Sequence, residues 1–560
     1  MIVDDHTQVC VVGLGAAGGV IASGLAELGV GVVGIESGPD VTRGPGGVRH
    51  GNRRFDDDEV AHIVDRRLLH TEPERLVLDG RDLGPAPWLA RNRGVGGPFA
   101  WTGFAYRFRP SDFRVASTDG VPADSSVADW PVGYAELEPW YSAAERLMGV
   151  AGHAGENPFE APRSGPYPAP ANPVGEGSRR LADAARRLGH HPYRPPAAIV
   201  TSPRGGRGSC DRCGACTFYG CHRDAKFASL LAGLGEARAD GRVLVRAGCV
   251  ATEIVCDRNG RPSAVRYVDA AGRGREQPAD VIVLANNAPY VAHLLLASRS
   301  PTHPCGIGND SDQLGRHVTF HTGAFAYGIY DDPIDAHLGP AQHVGVDDLN
   351  ENRPWLAGAG FRRGGVLHGG MPAAFTGGAL AFARGLDVTI PLPEGVPRHG
   401  RGLVDFAARA YRRHQAVYVL GEDLPRSQNR VGLDPTLTDS FGRPALRIDY
   451  TPHPEDRAQH DSLLDAAVRL LTESGARTVV RAPSTVPGGI FAGHAHGTTR
   501  MGDDPATSVA DSTGLVHGTE NLFVAGAGTF VTSAGVNPAL TIVALALRAV
   551  PVIAGRAGAA

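Results

Sequence analysis

Lysine is almost missing from this chain. Basic residues total 55, and Lys226 is the only lysine among them. A position that keeps lysine where arginine stands everywhere else reads as one that needs a compact ammonium, with chance as the competing reading. Aromatic residues are sparse at 6%, which disfavours the large apolar pocket that a sterol or an aliphatic alcohol would need. An excess of charge is missing too. A net charge of −4 over 560 residues gives no reason to expect nucleic acid or an anionic membrane as partner. No apolar run reads as long enough to cross a bilayer. The opening "MIVDDHTQ" lacks the basic and apolar regions of a secretory signal, so a cytoplasmic protein is expected. In such a chain the eight cysteines do not read as a disulfide framework.

What is present begins at the N-terminus. Val9 to Val12 reads as a buried parallel strand. Gly13, Gly15 and Gly18 then form G-x-G-x-x-G and open a helix to about Leu28, and a second strand, "GVVGIE", ends at Glu36. The glycines let backbone approach a pyrophosphate at a helix N-terminus, and the acid can bind ribose hydroxyls. An acid there argues against a 2′-phosphate. Further buried strands read at Val281 to Ala285 and at Leu522 to Ala525. The pattern predicts an α/β protein: a discontinuous Rossmann-like domain from 1–119, 201–309 and 486–560, and a second, α+β domain with an antiparallel sheet from 120–200 and 310–485. Leu463, Leu464, Ala467, Leu470 and Leu471 share a helix face, with Gly475 as the stop.

Three local patterns carry chemistry. "CDRCGACTFYGC" spaces Cys210, Cys213, Cys216 and Cys221 as C-x₂-C-x₂-C-x₄-C, close to an iron–sulfur run but not the same. It reads either as ligands of a cluster or zinc, or as reduced thiols or a disulfide in a loop. In "HAHGTTRMG", His494 and His496 face the same side if the segment is a strand. A metal site there would need His317 or His321 to converge, and both of those read as structural. Asn537 and Pro538 read as N-cap and first residue of a helix, which would aim its positive end and an amide at whatever it faces.

"VVGLGAAGG", "GVGG" at 94–97, "HAHGTTRMG" at 494–502 and "GVNPALTIVALALR" at 535–548 resemble the glucose–methanol–choline (GMC) flavoprotein oxidoreductases. So do "WPVGYAELEPWYSAAERLMGV", "GCHRDAKFAS", "GNDSDQLGRHVTFH" and "EDLPRSQNRVGLD"; residues 322–420 carry almost none of the resemblance. The resemblance implies FAD, held by Gly13, Gly15, Gly18, Glu36, Gly96, Gly97, Val250, Gly526, Asn537 and Pro538. It implies that His494 takes the hydroxyl proton of an alcohol while hydride passes to flavin N5, and that Asn537 holds the same oxygen. Trp101 and His496 are candidate substrate or flavin neighbours. Some members attach FAD through a histidine near the glycine pair; no histidine occurs here between His70 and His153, so FAD is expected to dissociate. "GTTRMG" with the Asn-Pro helix looks like the branch that oxidises pyranoses, glycosides and aminoglycosides. The expected substrate is thus an alcohol on a sugar, glycoside or amino sugar, with Glu422 and Asp423 available for a cationic one. Dioxygen or an electron-transfer acceptor would close the cycle, and an iron–sulfur cluster in the cysteine run would favour the latter. The alternatives are a lyase that uses FAD structurally and a dehydrogenase of a non-sugar alcohol.

Overall fold

Valine-rich runs from three remote parts of the chain pair into one sheet in the computed structural model of the protein, which describes residues 1–40, 42–43, 47–48, 72–89, 93–97, 101–214, 216, 221, 223–340, 342–351, 356–371, 392–397, 399–482 and 489–558. Strands Val243–Ala247, Val32–Glu36, Thr7–Val12, Gly274–Leu284 and Leu522–Val524 lie side by side and parallel. The register sets Val12 against Ile35 and Leu284, and Leu284 against Val524. The carboxyl ends of the first, middle and last strands therefore meet at one edge, where open α/β sheets bind ligands. Gly274–Leu284 begins earlier than the apolar run indicates, because its polar first half pairs with the antiparallel strand Pro262–Val268.

The seven-stranded sheet is antiparallel and built differently. Its order is Pro192–Tyr193, Val344–Val346, Gly365–Met371, His414–Gly421, Thr319–Ile329, Thr478–Ala482, with Ile490–His496 also pairing Thr319–Ile329. Side chains alternate across such a sheet. One face, with Ala324, Ala326, Leu367, Val417 and Val419, packs against Leu463, Ala467, Leu470 and Leu471 of helix Pro454–Glu473. The other face joins Val366, Ala416, Tyr418 and Leu420 to the core of the parallel unit, with Phe325, Tyr327 and Phe491 at its margin.

Two findings depart from the sequence reading. Arg430–Thr438 and Pro444–Tyr450 form a four-stranded sheet with Glu74–Leu78 and Arg81–Ala86, tying together stretches that patterning assigns to separate domains. And helix Ala539–Arg556 is, by length and composition, long and apolar enough to cross a membrane. In the fold Leu540, Val543, Ala544, Ala546 and Ile553 are instead buried in the same core as Ile21 and Leu25 of Ala16–Glu27 and Leu137 and Tyr141 of Tyr134–Met148. Tyr141 and Thr541 bond hydroxyl to hydroxyl at 2.8 Å.

Candidate functional site

The glycine turn is packed on one side and open on the other. A Cβ on Gly18 would lie 1.9 Å from the Gly13 carbonyl oxygen, and one on Gly13 would lie 2.7 Å from the Asn286 Cα. Gly96, with φ +79°, presses on Leu230 in the same way, whereas a Cβ on Gly15 would meet nothing within 4 Å. Helix Ala16–Glu27 has no side-chain cap and no acid in its first turn, so its positive end is free for an anion. Gly526 (φ +95°) is open apart from the Ala17 Cβ at 4.0 Å. Glu36 accepts from the backbone N–H of Leu14 (2.9 Å) and of Gly38 (2.7 Å), which fixes its carboxylate at the strand end and leaves lone pairs over. Beside it, Gly248 N–H donates to Gly38 and Cys249 N–H to Glu36, which brings Val250 to this edge, and Gly96 N–H donates to Leu14 while Gly97 closes the Gly94 turn. Open glycines, an uncapped helix and a fixed acid are what a dinucleotide such as FAD requires.

The histidine segment joins this cradle directly. Gly497 N–H donates to Ala527 and Thr499 N–H to Gly528, one and two residues past Gly526. Upstream, His494 lies on the strand Ile490–His496, partly buried, with its ring 4.7 Å from that of Phe491. Its Nδ1 is 2.8 Å from Nδ1 of His321, and His321 Nε2 is 2.8 Å from the Ala534 carbonyl oxygen. His321 thus ties the strand of His494 to the loop that carries Asn537. Burial, with His321, His496 and His368 nearby, holds His494 well below the ordinary imidazole range, and burial lowers His321 to about 4. Both rings are neutral at neutral pH.

Sequence spacing misses a set of rings. One rung of the antiparallel sheet aligns Gly345, His368, Tyr418 and Phe325. Tyr418 stacks on Phe325 at 4.9 Å and on His368 at 5.8 Å, and His368 stacks on Phe104 at 4.0 Å. The Tyr106 hydroxyl lies 3.0 Å from His368 Nε2; Tyr193 donates to Asp347 (2.7 Å), and its hydroxyl oxygen lies 3.2 Å from that of Tyr106. The Tyr418 hydroxyl, His368 Nδ1, both amide atoms of Asn350 and Asn537 Oδ1 are buried without a hydrogen-bond partner. In the sequence this face shows only as alternation, of Phe325 with Tyr327 on one strand and of Phe104 with Tyr106 on the segment stacked against His368.

Several expectations change. The helix begins at Ala539 with Pro538 as its cap residue and no side-chain cap, so the Asn537 amide is not consumed in capping. His496 is fully buried, with its ring stacked on that of Phe530 at 5.4 Å. His317 is structural: Ser126 and Gln313 take its two nitrogens at 2.7 and 2.9 Å. His321 is not merely structural, as it bonds His494. Glu422 and Asp423 are unavailable to a cationic substrate. Each is 1% exposed; Glu422 accepts from Arg363 at 2.6 Å, and Asp423 from Tyr450 at 2.5 Å. Burial pushes both carboxyls up to about 7.

Among the described residues no three His, Cys, Asp or Glu side chains are placed to hold a metal. Cys216 and Cys221 are buried and Cys210 half-buried in a small apolar cluster with Ile199 and Val200, while Cys213 is exposed. Burial raises the Cys216 thiol above its ordinary range. The single lysine explains itself here: Lys226 is 3% exposed and donates to the carbonyls of Trp101 and Cys216, both at 2.8 Å. Trp101 donates in turn to Phe227 at 3.1 Å, so the loop is clamped to the chain after the second glycine pair.

Comparison with known proteins agrees with this architecture. The GMC oxidoreductase profile matches residues 425–546. Paromamine 6'-oxidase of Streptomyces fradiae is 32% identical, covering 99% of this chain and 92% of its own. 6'''-Hydroxyparomomycin C oxidase of Streptomyces lividus is likewise 32% identical, with 99% and 92% covered. Among solved structures, pyridoxine 4-oxidase from Mesorbium loti shares the fold with a TM-score of 0.64 at 19% identity, over 97% of this chain and 98% of that one. These likenesses define an alcohol-oxidising enzyme of the FAD-dependent class. The chain belongs to the GMC oxidoreductase family.

Proposed function

We propose that the enzyme oxidises an alcohol group on an amino sugar or glycoside, with His494 as the base. The observation that carries this reading is the position of His494. It is a neutral imidazole, one short segment from the Gly526 end of the cradle, hydrogen-bonded toward the loop of Asn537. FAD would be held by Gly13, Gly15, Gly18, Glu36, Gly96, Gly97, Val250, Gly526 and Pro538, and when bound it would supply the two-electron oxidant for the carbinol carbon. His494 removes the hydroxyl proton, a task that contributes roughly 10²–10⁴-fold. The Asn537 amide holds the oxygen as its charge develops. The rings of Phe325, Tyr418 and His368 give a saccharide a flat apolar wall, and the buried Tyr418 hydroxyl and His368 Nδ1 give its hydroxyls partners. FAD is bound without a covalent histidyl link from 71–152, where the sequence has no histidine. Dioxygen is the acceptor in this reading, in keeping with the name oxidase that the two proteins of similar sequence carry, and the protein works in the cytoplasm.

The test is anaerobic mixing of the purified enzyme with paromamine-like amino sugars and with simple polyols. Loss of the visible flavin absorbance with the amino sugars, and formation of an aldehyde, is the expected result. Cleavage to an aldehyde without flavin reduction would assign the fold to lyase chemistry instead.

A further inference from the structure

His321 has an arrangement that generic packing does not require. Its Nε2 meets the Ala534 carbonyl at 2.8 Å, and its Nδ1 meets His494 Nδ1 at 2.8 Å. A carbonyl oxygen can only accept, so Nε2 of His321 carries the proton. In a neutral ring Nδ1 is then an acceptor, and the contact between the two Nδ1 atoms holds only if His494 donates. The Ala534 carbonyl is itself aimed at some cost. Ala534 has φ +57°, a left-handed conformation that a residue with a Cβ adopts only when its surroundings impose it. The adjoining Gly535 has no room for a side chain, since a Cβ there would lie 2.7 Å from the Asn350 amide.

We propose that His321 is a positioning residue that sets the tautomer of His494, by holding the proton on its Nδ1 so that Nε2 presents the lone pair to the substrate hydroxyl. This rests on the reading of His494 as the base. When Nε2 takes the alcohol proton, His494 becomes an imidazolium whose Nδ1–H still donates to His321. The proton stays on His494, because His321 has no further acceptor than a carbonyl to pass one to. The relay thus orients the base and does not share its charge, unlike a carboxylate partner, which would stabilise the imidazolium.

Two measurements test this. The first is imidazole ¹⁵N spectroscopy of the histidine-labelled holoenzyme, with the His494 signals assigned by their absence in His494→Gln. Protonated Nδ1 and unprotonated Nε2 on His494 are expected; the opposite tautomer overturns the proposal whatever the kinetics show. The second is turnover. His321→Leu removes the acceptor, and kcat is expected to fall about 10²-fold with KM little changed, since only the fraction of His494 in the productive tautomer reacts. His321→Asn restores an acceptor and is expected to recover most of the loss, whereas a kcat for His321→Leu within about threefold of wild type overturns the proposal. If His321→Leu fails to retain flavin, the wild-type tautomer decides alone. Undiminished turnover in His494→Ala would instead defeat the reading of the base and leave the tautomer result standing.

Discussion

The parallel and antiparallel sheets meet across one core, yet they contribute to the site by opposite means. The parallel sheet offers backbone: a turn whose Gly13 and Gly18 cannot carry side chains, an uncapped helix, and one fixed acid at Glu36. The antiparallel sheet offers side chains, with His494, His321, His368, Tyr418 and Phe325 drawn from four strands onto one face. Binding a cofactor through backbone leaves a fixed spacing in the sequence. Building a pocket from side chains leaves only alternation, which is common to every half-buried strand.

The largest effect is expected at the turn. Gly18→Ala forces a Cβ to within 1.9 Å of a backbone oxygen and is expected to abolish flavin retention and all activity, whereas Gly15→Ala, which meets nothing within 4 Å, is expected to fold normally and lose flavin only in proportion to the space FAD needs there. Flavin per chain, read beside a thermal melt, separates the two. Next comes the buttress of the antiparallel sheet. Leu470 is 2% exposed on helix Pro454–Glu473, and Leu470→Ala is expected to cost about 2–5 kcal/mol of stability in denaturant unfolding.

A smaller effect depends on pH. Glu422 and Asp423 are raised to about 7 by burial, so the folded chain keeps protons that the unfolded chain releases near the ordinary values of 4.5 and 3.8. The folded state then binds more protons across that window, and stability falls as pH climbs from about 4 to about 7 and levels above it. Urea midpoints at about pH 5 and about pH 8 check the sign, and Glu422→Gln is expected to shrink the difference. The smallest effect is at the rung. Tyr418→Phe removes a hydroxyl that has no protein partner. If that hydroxyl serves the substrate, KM rises by roughly fivefold, the worth of a net hydrogen bond of about 1 kcal/mol, with stability unchanged or improved. An unchanged KM removes Tyr418 from the pocket.

The same contrast explains what is legible without the structure. Thr7–Val12, Ala16–Glu27 and Val32–Glu36 are legible because apolar continuity, glycine spacing and a terminal acid agree. Helix Pro454–Glu473 is legible from its leucine face. The sheet that joins Glu74–Leu78 to Pro444–Tyr450 is not, because nothing local marks a pairing between positions so far apart. The role of His321 is hidden for the same reason: only tertiary pairing of Thr319–Ile329 with Ile490–His496 brings it to His494. Asn537 and Pro538 read as a cap by propensity, and tertiary context moves the helix start to Ala539 and leaves Asn537 Oδ1 without a partner. The cysteine spacing suggests ligands, and in the fold Cys216 and Cys221 pack among Ile199, Val200 and Ala225 while Cys213 is exposed.

In the proposed reaction an imidazole at 494, close to the cofactor cradle, removes the alcohol proton. The most direct measurement is the rate of anaerobic flavin reduction by a reactive amino-sugar alcohol, in wild type and in His494→Ala at equal flavin content. A fall of roughly 10²–10⁴-fold with flavin still bound is expected. Equal rates in the two proteins would remove His494 as the base.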